Sequence, residues 1–159
     1  MQKSPAVPPV MVSPGEGRVM RAFGEEAVLH LSSEQTGGVV NVWTEITPPG
    51  GGPPPHYHEN EDEWFVVQEG RVAFFSDGEW REFGPGAMIF MPRYHVHAFK
   101  NVGDTPSRML LGTAPGGFDK YFARCEEEFA KPGGPDMERI VAISAEHGIH
   151  LIGPPPQQS

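Results

Sequence analysis

Along most of the chain, apolar and polar residues alternate in short runs, and a helical period replaces this pattern only toward the C-terminus. The runs RVMRAF (18–23), AVLHLS (27–32), VVNVWTEIT (39–47), EWFVVQ (63–68) and RVAFFS (71–76) come first. EWREF (79–83), AMIFMP (87–92), HAFKN (97–101) and RMLLGT (108–113) follow. Successive side chains on an extended strand point to opposite faces, so each run predicts a strand with one buried side. Breaks rich in Gly, Asp and Pro separate them. Asp77-Gly78, between two apolar runs, predicts a two-residue hairpin whose twisted turn needs positive φ at both positions. Many short strands at this spacing predict an all-β antiparallel sandwich or barrel over residues 18–115.

Phe118, Phe122, Cys125 and Phe129 recur at helical spacing and form one apolar stripe. After Pro132-Gly133-Gly134-Pro135, a second helix is expected from Asp136, an N-cap residue, to Gly148, a C-terminal stop. Its inward face would carry Met137, Ile140, Val141 and Ser144. Residues 116–150 are therefore expected to pack as a helical segment on the β-domain. Residues 1–17, rich in Pro, Gly and Ser, predict an irregular arm, and residues 151–159 a disordered tail. Cys125, on the apolar stripe, reads as buried and inert.

Composition narrows the function. At 159 residues the chain is one domain with a proper core. A net charge of -9 argues against nucleic acid and against anionic membrane surfaces. The single cysteine excludes an internal disulfide and any CxxC site, which fits a reducing compartment. No apolar stretch reaches the roughly 18 residues of a spanning helix. The opening MQKSPAVPPV is too broken by proline for a secretory signal. A soluble, cytoplasmic protein is expected.

The densest chemistry lies in GGGPPPHYHENEDEWFVVQEG, residues 50–70. On a strand, His56 and His58 share a face with roughly 6.6 Å between their Cα atoms, and Tyr57 faces away. Two imidazoles converging near carboxylates suit a divalent first-row metal. Further along, GPGAMIFMPRYHVHAFKN (84–101) supplies His95 and His97. The proline-rich run 48–55 has too few amide donors for a central ladder, and reads as a stiff loop delivering His56 to the barrel mouth.

Two motifs emerge from these stretches. The first is G-x5-H-x-H-x4-E-x6-G on Gly50, His56, His58, Glu63 and Gly70. The second is G-x5-P-x-Y-x2-H-x3-N on Gly86, Pro92, Tyr94, His97 and Asn101. They resemble the two conserved motifs of the cupin superfamily, with Tyr94 standing where the family usually has glycine. The resemblance implies a cupin jelly-roll barrel with short C-terminal helices. It also implies that His56, His58, Glu63 and His97 ligate one divalent ion, whether Fe, Mn, Ni, Co, Cu or Zn. Single-domain cupins commonly pair, so a homodimer is expected.

Within the superfamily, the motifs and the trailing APGGFDKYFAR look most like single-domain quercetin dioxygenase-like proteins. That likeness implies oxygen-dependent cleavage of a flavonol or another enolisable, oxygen-rich small molecule. Glu63 would serve as ligand and as catalytic base, with dioxygen as co-substrate. The alternatives are a non-catalytic cupin that senses or sequesters a small ligand through its metal, or another cupin enzyme such as an isomerase. Trp43, Phe65, Phe74, Met88 and Phe90 are candidates for an apolar pocket lining, though ordinary core positions fit them equally well. His95 shares strand parity with His97; it is either a proton-handling neighbour of the site or an exposed side chain, and exposure is preferred. Tyr94 is expected in a rebuilt turn, with a packing role ahead of a place at the pocket mouth. Glu59, Glu61 and Asp62 read as a solvated acidic loop rather than as acceptors for the ligand imidazoles.

Overall fold

Eleven strands and two helices lie in the residues described, 7–153, of the computed structural model. The strands are β1 (Arg18–Ala22), β2 (Glu25–Leu31), β3 (Asn41–Thr47), β4 (His56–His58), β5 (Asp62–Glu69) and β6 (Val72–Ser76). They continue with β7 (Glu79–Phe83), β8 (Met88–Met91), β9 (His97–Asn101), β10 (Ser107–Ala114) and β11 (Ile149–Leu151). The helices α1 (Phe118–Phe129) and α2 (Met137–Glu146) precede β11. All nine strand-like runs of the sequence form strands. The Asp77-Gly78 turn has positive φ at both positions, 52° and 81°, as its hairpin requires.

The strands form two antiparallel sheets, one ordered β1-β2-β3-β10-β5-β8 and the other β11-β4-β9-β6-β7. Inward-facing aromatic residues join them: Phe65 of the first meets Phe74 of the second edge-on, with ring centroids 5.0 Å apart. Phe65, Trp43, Met109 and Leu111 are fully buried between the layers. The result is a jelly-roll sandwich. The expected closed barrel is corrected here, because among the described residues no ladder joins the two sheets; loops make the crossings between them, except that α1 and α2 carry the chain from β10 to β11.

The C-terminal segment differs from expectation in two places. Along α2, Ile140, Ile143 and Ser144 form the buried stripe, whereas Met137 and Val141 are exposed. Val141 is turned roughly 100° from Ile140, and Met137 stands in the first turn. Asp136 caps this helix as predicted, its carboxylate accepting from the amides of Glu138 and Arg139. The chain then turns back as β11, and Leu151, assigned to a disordered tail, pairs with His56. The short strand β4 needs a partner for its outer backbone groups, and the chain end supplies one. The rest of the expected tail, 154–159, and the first six residues of the expected arm lie outside the described residues; residues 7–17 form neither helix nor strand. No helix among the described residues is long and apolar enough to cross a membrane.

The proline-rich loop before β4 is pinned by Asn101. The Gly50 amide donates to the Asn101 carbonyl and the Asn101 amide to the Gly51 carbonyl, both at 2.9 Å. The buried Asn101 side chain donates to the carbonyls of Thr47 and Thr105. Gly52, at φ 148°, lies so close to β9 that a Cβ would run into the Phe99 carbonyl. Gly52→Ala should therefore lower folding stability by about 1–3 kcal/mol, through backbone strain and displacement of the loop. Urea denaturation measures this, and an unchanged midpoint would show that the loop does not need its close approach to β9.

Candidate metal centre

His56, His58, Glu63 and His97 come together in the interior between the sheets, each with a ligand atom within 4.8 Å of the others. Strand alternation accounts for the first pair: His56 and His58 are buried while Tyr57 between them is half-exposed. His97 is the register partner of His56 on the adjacent strand β9. All three histidines thus come from one sheet. Glu63 arrives from the other, on the inward face of β5 with Phe65 and Val67. His97 therefore neighbours the histidine pair, and Glu63, rather than His97, reaches the centre from the facing strand.

What aims the rings is hydrogen bonding at their far side. Nδ1 of His56 donates to the Pro54 carbonyl at 2.8 Å, and Nδ1 of His97 to the His95 carbonyl at 2.9 Å. Nδ1 of His58 donates to the Glu61 carboxylate at 2.7 Å. With each Nδ1 carrying the proton, each Nε2 is left as a lone pair directed inward. Nε2 of His58, Nε2 of His97 and Oε2 of Glu63 are buried without a hydrogen-bond partner. Donors about 2.0–2.2 Å from a common ion lie up to roughly 4.4 Å apart, so a slight contraction of the cluster satisfies a divalent cation. Three nitrogens and one carboxylate oxygen are a borderline-hard set that suits first-row divalent ions, and an octahedral ion would keep two positions open.

The electrostatics carry the same demand. Burial, reinforced by His97 and His58, pushes the His56 imidazole down to about 3, so it stays neutral and free to ligate. Burial opposes charge on His58 too, but Glu63 and the hydrogen-bonded Glu61 outweigh it and raise its pKa. Glu63 is buried as well, yet the neighbouring imidazoles, His58 first and then His97 and His56, hold its carboxyl below the usual range. A carboxylate kept ionised in a dry site is a ligand awaiting a cation.

Several expectations need revision. Glu61, read as solvated, is buried and holds His58; only Glu59 and Asp62 behave as surface residues, pairing with His150 and Arg93. Met88 and Phe90 are 74% and 62% exposed, because inward parity on β8 belongs to Ile89 and Met91. Trp43, Phe65 and Phe74 are core residues set back from the cavity, although Phe65 presents its edge to His97. Tyr94 is exposed with φ 66°, so the turn keeps the left-handed conformation that glycine favours and is not rebuilt. His95 precedes β9 and reaches out to Asp77 at 3.0 Å; only its carbonyl serves the site. Cys125 is buried, and burial pushes its thiol up to about 11, in keeping with an inert residue.

Beside the cluster lies a cavity of about 50 Å³, with His56, His58 and Glu63 on one wall. Phe99 and the α1 residues Phe118, Tyr121 and Phe122 give it an aromatic lining, and Pro53, Pro54, Ile149 and Leu151 close it. Phe118 also stacks on Trp43, with centroids 4.6 Å apart. Glu25 and Glu45 stand on the same cavity wall, buried, and were not anticipated. A signal for Glu45 existed: the alternation that sends Trp43 and Thr47 inward sends Glu45 inward with them. The helical stripe likewise had to cover something, but no local pattern says that it covers the cluster.

Two measurements check the centre. His97→Ala should abolish stoichiometric uptake of a divalent ion, read by elemental analysis; full occupancy in the variant would remove His97 from the ligand set. Binding should also release a proton from His58, whose raised pKa keeps it protonated to a higher pH than the ordinary 6.5. Apparent affinity should then fall as pH drops through that raised value, whereas His56, neutral down to about 3, adds no such competition. Calorimetry in buffers of different ionisation enthalpy reads the released proton, and a binding heat independent of buffer would contradict the assignment.

Comparison with known proteins agrees with the architecture. Residues 43–112 match the family described as a cupin domain. No curated protein matches the chain. Among solved structures, one described as a predicted oxalate decarboxylase from Thermotoga maritima shares 24% identity, covering 57% of this chain and 80% of its own, with a TM-score of 0.55. The polyketide cyclase RemF from Streptomyces resistomycificus shares 22%, over 65% and 78% of the two chains, at 0.58. A sugar phosphate isomerase from a cupin superfamily, from Silicibacter pomeroyi, shares 25%, over 57% and 59%, at 0.51. At such identities the first two likenesses speak for the fold alone. The matched segment runs from β3 into β10 and holds all four converging residues, so over this segment the chain resembles a cupin domain.

Proposed function

We propose that the protein is a metal-dependent oxidoreductase, acting with dioxygen on a small, enolisable, oxygen-rich molecule in the manner of quercetin dioxygenase-like cupins. The observation that carries this reading is the set of inward lone pairs at the wall of an aromatic cavity. A bound divalent ion supplies Lewis acidity, which lowers the pKa of a substrate hydroxyl, and open positions for exchangeable ligands. The protein's own part is positional and protonic. Glu63, held ionised, is placed to take the hydroxyl proton. His58, His56 and His97 are kept in one tautomer by their Nδ1 bonds, and the Phe99 and Phe118 rings exclude water from the cavity.

Cavity size narrows the substrate. About 50 Å³ is room for a few water molecules at roughly 10–15 Å³ each. A molecule of a few heavy atoms fits this space, and a three-ringed flavonol enters only if Phe118 or the proline-rich loop moves. Small reductones and diketones are therefore favoured over flavonols. The structural neighbours bear the names of a decarboxylase, a cyclase and an isomerase, so the substrate class rests on the cavity and not on likeness.

Oxygen uptake, measured on protein loaded in turn with Fe, Mn, Co, Ni or Cu, tests the reading against a panel of reductones, diketones and flavonols. Turnover of a small compound, lost by about 100-fold or more in Glu63→Gln through loss of the base, is the expected result. No oxygen uptake with any ion or compound would overturn the oxidoreductase reading and leave a metal-dependent binder of small ligands or another cupin enzyme such as an isomerase.

A further inference from the structure

We propose that Glu25 and Glu45 are a second recognition point in the cavity, a buried carboxyl pair that binds a neutral hydroxyl of the substrate and turns away a carboxylate. The proposal rests on the functional reading above, since it takes the same cavity to hold the substrate.

The pair is built into the fold. Both residues are 5% exposed and line the cavity that His58 and Glu63 also line. Glu45 sits opposite Ala27 in the register of β2 and β3, which makes Glu25 its diagonal neighbour on the inner face. The Thr47 hydroxyl donates to Oε1 of Glu25 at 3.1 Å, and the Trp43 indole donates to Oε2 of Glu45 at 3.0 Å. Two neighbouring carboxyls buried in a dry cavity repel each other when both are ionised, so the pair favours holding one proton.

Glu25 is the acid. Burial, and then the charge of Glu45, push its pKa well above the usual carboxyl range. Burial raises Glu45 too, but the neighbouring Glu25 and the Trp43 indole favour its ionised form. The pair thus offers one acidic proton, several acceptor positions and a single negative charge.

Nothing in the packing requires it. Buried ionisable pairs contribute little to stability compared with well-packed apolar residues, and here the surroundings are aromatic. The second observation is in the same cavity, where Nε2 of His58 and Oε2 of Glu63 are buried without partners. A ligand held at those atoms lies in the space that the carboxyl pair also lines. A hydroxyl there can donate to Glu45 and accept from Glu25. A carboxylate would face the charge of Glu45 in a low-dielectric site, where like charges repel strongly. The favoured substrate is therefore one with a chelating oxygen pair at one end and a neutral hydroxyl at the other, not a dicarboxylate.

Glycerate and tartronate test this. They share a 2-hydroxycarboxylate head and differ at the far end, with a hydroxymethyl in one and a carboxylate in the other. Calorimetric titration of the protein loaded with redox-silent zinc should show glycerate binding about tenfold or more tighter than tartronate. In Glu45→Gln, which keeps the shape and removes the charge, the preference should shrink to within roughly threefold. Equal affinities in the unaltered protein, or a preference untouched by Glu45→Gln, would overturn the proposal. Infrared spectroscopy of the unaltered protein, with no added metal, supplies a reading independent of any variant's folding. The carbonyl stretch of a neutral carboxylic acid should be present at neutral pH and vanish in Glu25→Gln. An absent band, or one that survives Glu25→Gln, counts against the pair. If the unaltered protein takes up no zinc, the functional reading falls, and the infrared response still judges the pair by itself.

Discussion

Three imidazole lone pairs and a carboxylate oxygen face one another in a space closed to water, and this unfavourable arrangement governs the structure around it. A buried anion and unpaired ring nitrogens cost free energy unless a cation or a proton lies between them. Proton capture by His58 is a partial remedy, drawn by Glu63 and Glu61. His56 cannot share in it, because burial and two neighbouring imidazoles hold it neutral. A divalent ion answers all four donors at once. The Nδ1 bonds to Pro54, Glu61 and His95 are what make this possible, because they fix each ring and leave the other nitrogen bare.

Each of those anchors depends on a different part of the fold. The Pro54 carbonyl is in place because the loop before β4 is pinned on Asn101 and tucked against Phe99. The His95 carbonyl is set by the turn at Tyr94, whose amide donates to the His58 carbonyl at 2.7 Å. A residue with a Cβ pays a steric penalty at positive φ, so the closeness of this turn to the histidine pair gives its strain a structural reason. Two motif positions that carry no donor themselves, Asn101 and Tyr94, are thus supports for ligand orientation.

The C-terminal helix and strand complete the site. α1 lays Phe118, Tyr121 and Phe122 over the opening, and β11 pairs with β4, the strand that carries two of the four donors. The same hydrophobic burial that fastens the C-terminal segment to the sandwich also dries the cavity. Drying strengthens every charge interaction inside, which is why the Glu63 carboxyl is held below the usual range by its imidazole neighbours while burial and Glu45 push Glu25 above it.

Local pattern was enough for much of this. Period-two alternation marks the strands, Asp77-Gly78 marks its hairpin, and the HYH spacing puts His56 and His58 on one face, because backbone geometry alone dictates these relations. The paired motifs likewise single out Glu63 and His97. What they do not contain is how the two sheets meet. Met88 and Phe90 look like pocket residues until the position of β8 at an edge turns them outward, and Glu61 looks like a loop charge until His58 comes within hydrogen-bond reach. The cavity wall from Phe23 to Leu151, with Glu25 and Glu45 in it, joins residues far apart in the chain. Alternation determines which side of a strand a residue takes, whereas what stands opposite that side depends on the packing of distant segments, and only the tertiary structure decides it.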